Sequence, residues 1–305
     1  MTETKSNLQQ VLEAGHFSVT SEIGPPMSAN ADFVRHLARD IVGLVDAANV
    51  TDCQAAIVRM SSFAASCLAL QEGVEPILQM TCRDRNRIAI QSDLLGASAL
   101  GIKNLLILSG DHQRVGNHPQ SKNVFDVDSI QLLKAMRDHM ENGVFISGAK
   151  SKMPARFFLG STANPFADPE EMQLIRLEKK INAGAKFIQT QAIYNIDRFN
   201  SWMEKVRERG LHERAYILAG IVVNKSQKSI EVTATVPGMD IPDVLIERMR
   251  NADDKKAEGL AIGLELIGEI RKVEGISGLH VMAIGWDEIV PELLEKAGFL
   301  PRPVL

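Results

Sequence analysis

EEMQLIRLEKKINAGAKFIQTQAI, residues 170–193, holds one complete unit of the chain's architecture. In its first half Leu174, Leu177 and Ile181 recur at three- and four-residue spacing among charges, which predicts an amphipathic helix. Gly184 supplies the left-handed residue at which a helix stops. FIQTQAI (187–193) then reads as a short strand whose alternation puts Gln189 and Gln191 on one face and Thr190 on the other. A helix that stops at a glycine and feeds a strand is the unit of a parallel, helix-covered sheet.

The unit recurs along the chain. Strand-like runs stand at FSVTSEI (17–23), LVDAANVTD (44–52), EPILQMTC (75–82), NLLILSGD (104–111), RFFLGSTAN (156–164), FIQTQAI (187–193), AYILAGIVV (215–223) and GLHVMAIG (278–285). Helical patterns such as SDLLGASALG (92–101) and SIQLLKAMRDHM (129–140) lie between them, and Gly73, Gly101 and Gly210 repeat the stop at Gly184. Eight units in 305 residues predict one α/β domain over 1–305, a single (β/α)8 TIM barrel; a doubly wound sheet usually ends near about six strands. The segment 224–277 is long for one crossover and predicts an extra helical insertion of two or three helices between strands seven and eight. No linker, low-complexity tract or charge block divides the chain.

Composition narrows the function. With 24% charged residues and a net charge of −4, the chain gives no reason to expect nucleic-acid or membrane-surface binding. Aromatic residues, 5%, are too sparse for base-stacking platforms. No apolar run reaches the roughly 18 residues of a membrane span, and the polar N-terminal stretch MTETKSNLQQVLEAG has no signal-peptide core. Three cysteines, Cys53, Cys67 and Cys82, form no CxxC, which points to a reducing cytoplasm. Cys53 and Cys82 have no His or Cys at ligand spacing, and GDHQRVGNHP (110–119) matches no zinc or iron pattern, so no metal site is expected. There is no GxGxxG and no P-loop, so barrel loops would have to hold any nucleotide.

In such barrels the chemistry sits at the carboxyl ends of the strands. Those ends read Glu22; Asn49, Thr51 and Asp52; Gln79, Thr81 and Cys82; Ser109, Gly110 and Asp111; Thr162 and Asn164; Gln189, Thr190 and Gln191. Strands seven and eight end blandly, in AGIVVN and AIGWDE. Gly24, Pro25 and Pro26 stop the first strand and leave Glu22 at a rim, either solvated or put to use. Asp111 equally suits a helix N-cap or a turn in SGDH, and the basic loop CRDRNR (82–87) suits phosphate or plain solvent.

Four stretches carry a resemblance: FSVTSEIGPP (17–26); ILQMTCRDRNR (77–87); NLLILSGDH (104–112) with FDVDSIQLLK (125–134); and KKINAGAKFIQTQAIYNIDRF (179–199). In order and spacing the chain resembles the methylenetetrahydrofolate reductases, flavin-dependent (β/α)8 barrels of one-carbon metabolism. The resemblance implies that Glu22 is the catalytic acid, that Asp111 lies near flavin and folate, and that Gln191 contacts substrate. It places Thr51, Gln79, Ser109, Gly110, Phe125, Asp126, Asn164 and Lys180 on flavin-contacting positions, with FAD or FMN as the cofactor and a tetrahydrofolate as the substrate. A lysine at 180 otherwise reads as solvated charge in EKK (178–180).

Some positions depart from the family pattern. Gln79 replaces a histidine, Ser109 replaces an arginine, NKSQ (224–227) stands where many members have a phenylalanine, and HVMAIGW (280–286) replaces HFYTLNR. The variant looks like the acetogen-type reductases, whose flavin subunit pairs with a small iron–sulfur and zinc protein. That implies electrons arriving through a partner, and an oligomer or hetero-complex. Two other readings stay open: a pterin-dependent methyltransferase barrel without flavin, and a non-catalytic flavin scaffold for electron transfer.

Overall fold

The computed structural model describes residues 5–305; residues 1–4, the start of the polar N-terminal stretch, lie outside the described residues. The first half of the chain runs α1 (Asn7–Glu13), β1 (Ser18–Ile23), α2 (Ala31–Ile41), β2 (Ala47–Val50), α3 (Ser62–Gln71), β3 (Pro76–Thr81), α4 (Arg87–Ala99), β4 (Asn104–Leu108) and α5 (Ser129–Asn142). The second half runs β5 (Phe158–Ala163), α6 (Glu170–Ala183), β6 (Phe187–Ala192), α7 (Ile196–Glu208), β7 (Tyr216–Val222), α8 (Gln227–Ala234), α9 (Asp243–Asn251), α10 (Lys255–Ile270), β8 (Ile276–Met282) and α11 (Val290–Lys296). Each strand lies within its apolar run or overlaps it by several residues. The segment between β7 and β8 holds three helices, α8, α9 and α10.

All eight strands are parallel and close in chain order, β1 pairing with both β2 and β8. This is the (β/α)8 barrel. Local chemistry starts and stops the helices between them. Asn30, Asn86, Asn195 and Asp254 accept from backbone N–H groups in the first turns of α2, α4, α7 and α10, and Asp128 with Gln131 forms a capping box on α5. The expected stops at Gly73, Gly101, Gly184 and Gly210 all have positive φ, from 63° to 124°.

Two apolar layers stabilise the shell. The larger joins the outer faces of the strands to the helices, with Val19, Leu78, Ile107, Leu159, Ile188 and Val281 among its fully or nearly fully buried residues. The smaller fills the amino-terminal end of the barrel: Ala47, Ile77, Leu106, Phe158, Phe187 and Leu218 meet Leu8 and Leu12 of α1, which plugs that end. Alternation along the same strands then puts polar residues in the next interior layers, toward the carboxyl ends. No helix among the described residues is long and apolar enough to cross a membrane.

Candidate active site

The carboxyl ends of the strands open into a cavity of about 560 Å³. It gathers Glu22, Thr51, Gln79, Ser109 and Gly110 with Asp111, Asn164, Lys180 and Gln191. Phe125 and Asp126 are not brought there: Phe125 is 41% exposed in the loop after β4, and Asp126 pairs with Arg87 at 2.7 Å. A larger cavity, about 690 Å³, lies at the opposite end beside α1 and holds none of these residues; in parallel barrels the chemistry belongs to the carboxyl end.

Glu22 is not a solvated rim carboxylate. Its side chain is 12% exposed, and burial pushes its carboxyl up to about 7, with the Asp287 charge adding to the rise. Gln54 Nε2, 3.5 Å from Oε1, and the Arg59 guanidinium pull the other way without cancelling it. Arg59 is itself tied to the Gly-Pro-Pro stop, donating to Pro25 O at 3.0 Å.

β8 supplies a residue that the sequence reading missed. His280 is 4% exposed, lines the cavity, and brings Nε2 to 3.9 Å from Glu22 Oε2. Strand register explains the meeting: Thr20 pairs with His280 across the β1–β8 seam, and Glu22 lies two residues further along the same face. Burial pushes the imidazole down to about 3, so it is neutral at ordinary pH. Below it, Thr20 Oγ1 meets His280 Nδ1 at 3.0 Å and accepts from Gln189 Nε2 at 3.2 Å, while Gln189 and Asn49 exchange two amide hydrogen bonds. The bland ending of β8 is thus corrected: His280 and Met282 both face the mouth.

The opposite wall is cationic. Lys180 is 8% exposed, and its Nζ donates to Thr162 O at 2.5 Å. Burial, and then the like charge of Arg176, bring its ammonium down to about 8. The solvated reading of Lys180 therefore does not hold. Neither Lys180 nor Arg176 has a carboxylate within ion-pair distance among the described residues, although both line the cavity. Thr51 Oγ1 is buried beside this space without a hydrogen-bond partner. Gly110, at φ +88°, lets the loop after β4 pass so close to β3 that a Cβ there would sit 3.0 Å from Thr81 Cβ. Ser109 Oγ bonds Ser129 Oγ at 3.2 Å, and Asp111 is exposed, its Oδ2 accepting from Ala55 N at 3.0 Å. Gln191 Oε1 accepts from Ala192 N at 3.2 Å, leaving its amide N–H groups to donate.

A family profile for methylenetetrahydrofolate reductase matches residues 7–298, nearly the whole chain. The chain belongs to the methylenetetrahydrofolate reductase family. Among its relatives, methylenetetrahydrofolate reductase 1 of Schizosaccharomyces pombe is 28% identical over 230 residues, 74% of this chain and 36% of that protein. The chain thus spans little more than a third of the fungal relative's length. The 5,10-methylenetetrahydrofolate reductase of Pectobacterium carotovorum is 22% identical over 75% of this chain and 72% of its own length. In fold the chain is similar to a Clostridium thermocellum protein that binds two copies of 5-methyl-5,6,7,8-tetrahydrofolic acid, with a TM-score of 0.64 at 15% identity, over 96% of this chain and 97% of that one.

In this methylenetetrahydrofolate reductase family member the arginines of the CRDRNR loop are taken up by protein partners, while Asp84 and Asn86 stay exposed. Arg83, 2% exposed, donates to Cys53 O and Asp111 O at 3.2 Å each and so ties the loops after β2, β3 and β4 together. Arg85 pairs with buried Asp52 at 2.7 Å, and Asp52 also accepts from Thr81 N and Oγ1. The braced loop after β2 carries Cys53, Ala55 and Ala56 at positive φ, each costing of order 1–2 kcal/mol that these bonds offset. Burial pushes the Cys82 thiol up to about 12, so it is no thiolate.

Proposed function

We propose that this chain is a flavin-dependent 5,10-methylenetetrahydrofolate reductase that yields 5-methyltetrahydrofolate, with electrons reaching its flavin through a partner subunit. The observation that carries the reading is the buried Glu22 carboxyl, poised near neutrality at the edge of a cavity whose far wall is cationic. A paired acid and anion subsite is what opening a folate ring over a phosphorylated cofactor requires.

The residues present fit a flavin. A cavity of about 560 Å³ is of ligand size, and the Thr51 hydroxyl in its wall lacks a partner. Lys180 and Arg176 would hold a phosphate, with Asn164, Ser109 and the Gly110 backbone along the ribityl chain. When bound, the flavin supplies the hydride that reduces the folate's iminium carbon.

The protein's own part is acid–base and orienting. Glu22, protonated below about 7, donates to the bridging nitrogen of methylenetetrahydrofolate and opens the five-membered ring. Asp111 holds a negative charge at the rim, where it stabilises the cation so formed. Gln191 donates its amide N–H groups to the pterin.

Anaerobic addition of methylenetetrahydrofolate to the photoreduced yellow protein tests this, with flavin reoxidation and one equivalent of 5-methyltetrahydrofolate expected. A colourless protein would point to the methyltransferase reading. A yellow protein indifferent to folate would point to an electron-transfer scaffold.

A further inference from the structure

The protons around His280 follow from the bonds beneath it. Asn49 Nδ2 donates to Gln189 Oε1 at 2.6 Å, and Gln189 Nε2 donates to Asn49 Oδ1 at 3.0 Å. With Gln189 Nε2 as the donor in that pair, its second N–H goes to Thr20 Oγ1 at 3.2 Å. The Thr20 hydroxyl has one proton and two lone pairs. Leu279 O, 3.2 Å away, can only accept, so it takes the hydroxyl proton. One lone pair serves Gln189, and the other faces His280 Nδ1 at 3.0 Å. All three contacts are satisfied together only when Nδ1 carries the imidazole proton. Turning both amides over would send the Thr20 proton to Gln189 and leave Nδ1 protonated all the same. His280 Nε2 is therefore a bare lone pair, 3.9 Å from Glu22 Oε2.

We propose that His280 is a positioning residue for Glu22: its bare Nε2, aimed by Thr20, accepts from the Glu22 carboxyl and keeps the proton on that acid until substrate takes it. The proposal rests on Glu22 being the proton donor. A neutral acceptor stabilises the protonated acid and repels the carboxylate, so the contact favours the form that can donate. A separation of 3.9 Å closes to a hydrogen bond with a small side-chain movement, and such contacts commonly tighten when ligand binds. The other groups acting on Glu22 are Gln54, Arg59 and Asp287 from the neighbouring loops, and the charged groups Asp111, Arg176 and Lys180 line the same cavity. None of these is altered in the variants below.

Two spectroscopic readouts test the proposal on the flavin-containing protein. Infrared titration follows the Glu22 carboxyl as the band lost in Glu22→Gln, and nitrogen NMR of histidine-labelled protein reads the His280 tautomer as the ring lost in His280→Phe. The wild type should show a bare Nε2. His280→Phe removes the acceptor and should lower the Glu22 pKa by about one pH unit. Thr20→Val, which does not touch Glu22, frees Nδ1 and lets Nε2–H face the carboxylate; it should lower that pKa too, with the alkaline limb of folate reduction following. Where His280→Phe does not fold, the response of the same ring to Thr20→Val identifies it. A protonated Nε2 in the wild type, or a Glu22 titration unmoved in these variants, overturns the proposal. Folate reduction surviving Glu22→Gln while the titration still follows Thr20 would sink the acid assignment and leave the pairing standing. An inactive Glu22→Gln with an unmoved titration overturns the pairing alone.

Discussion

Glu22→Gln should stabilise the protein, and more so at higher pH. An ordinary glutamate titrates at 4.5, whereas Glu22 in the fold titrates at about 7 because burial penalises its charge. The folded state therefore holds this proton more tightly than the unfolded chain. Its contribution is most favourable below pH 4.5 and is lost as the pH climbs through about 7. At about 1.4 kcal/mol per pH unit, the full loss approaches about 3 kcal/mol, of which about 1 kcal/mol is already gone at pH 5. Local relaxation and water entry reduce such figures, so the gap between variant and wild type should widen by about 1–2 kcal/mol between pH 5 and pH 8. For a chain of this size that is about 2–4 °C in melting temperature. The amide keeps the shape of the carboxyl and its contact with Gln54. Thermal unfolding of both proteins, each with its flavin bound, followed by circular dichroism at the two pH values, gives the comparison. Parallel melting temperatures at both, or a variant less stable at pH 8, would refute a buried carboxyl that resists ionisation.

Three other outcomes are expected. Lys180→Ala should purify with less flavin and bind it at least ten-fold more weakly, read by fluorescence recovery on titration, about what one lost phosphate contact is worth; full flavin content and unchanged affinity would remove the contact. Gln189→Leu leaves the Asn49 amide buried without its partner and should cost about 1–3 kcal/mol in urea unfolding, so an unchanged midpoint would break the network beneath His280. The isolated chain should oxidise NADH weakly or not at all in a dye-linked assay. Asn224, after β7, is held by Tyr194 and Thr233, and Trp286 is buried, so neither offers a ring for nicotinamide to stack on; efficient steady-state turnover would count against this.

The barrel was legible because the strands stand in short, largely apolar runs at regular intervals and several helices stop at a glycine with positive φ. Glu22 was legible for a local reason, a strand ending in a carboxylate before Gly-Pro-Pro. His280 was not, because its importance depends on which strand closes the barrel. Only the β1–β8 seam brings it, some 260 residues away in sequence, beside Thr20 and Glu22. The interior alternation Gly278, His280, Met282 was the available signal, hidden by reading β8 from its last residues alone. The CRDRNR loop misled for a related reason. Its arginines look solvated until Asp52 and Asp126, carried by other loops, claim Arg85 and Arg87. Lys180 shares a helix face with Gln173 and Arg176, but only packing against β5 shows that the face turns inward.

The most direct test of the account separates the two half-reactions of Glu22→Gln. The amide occupies the same space but has no acidic proton, so flavin content and reduction of the flavin by a chemical donor should match wild type. Rapid anaerobic mixing of the reduced variant with methylenetetrahydrofolate should then show reoxidation slower by roughly 10²–10⁴, the usual worth of a positioned acid. Reoxidation within a few-fold of wild type would show that the ring opens without Glu22 and would contradict its role as the proton donor.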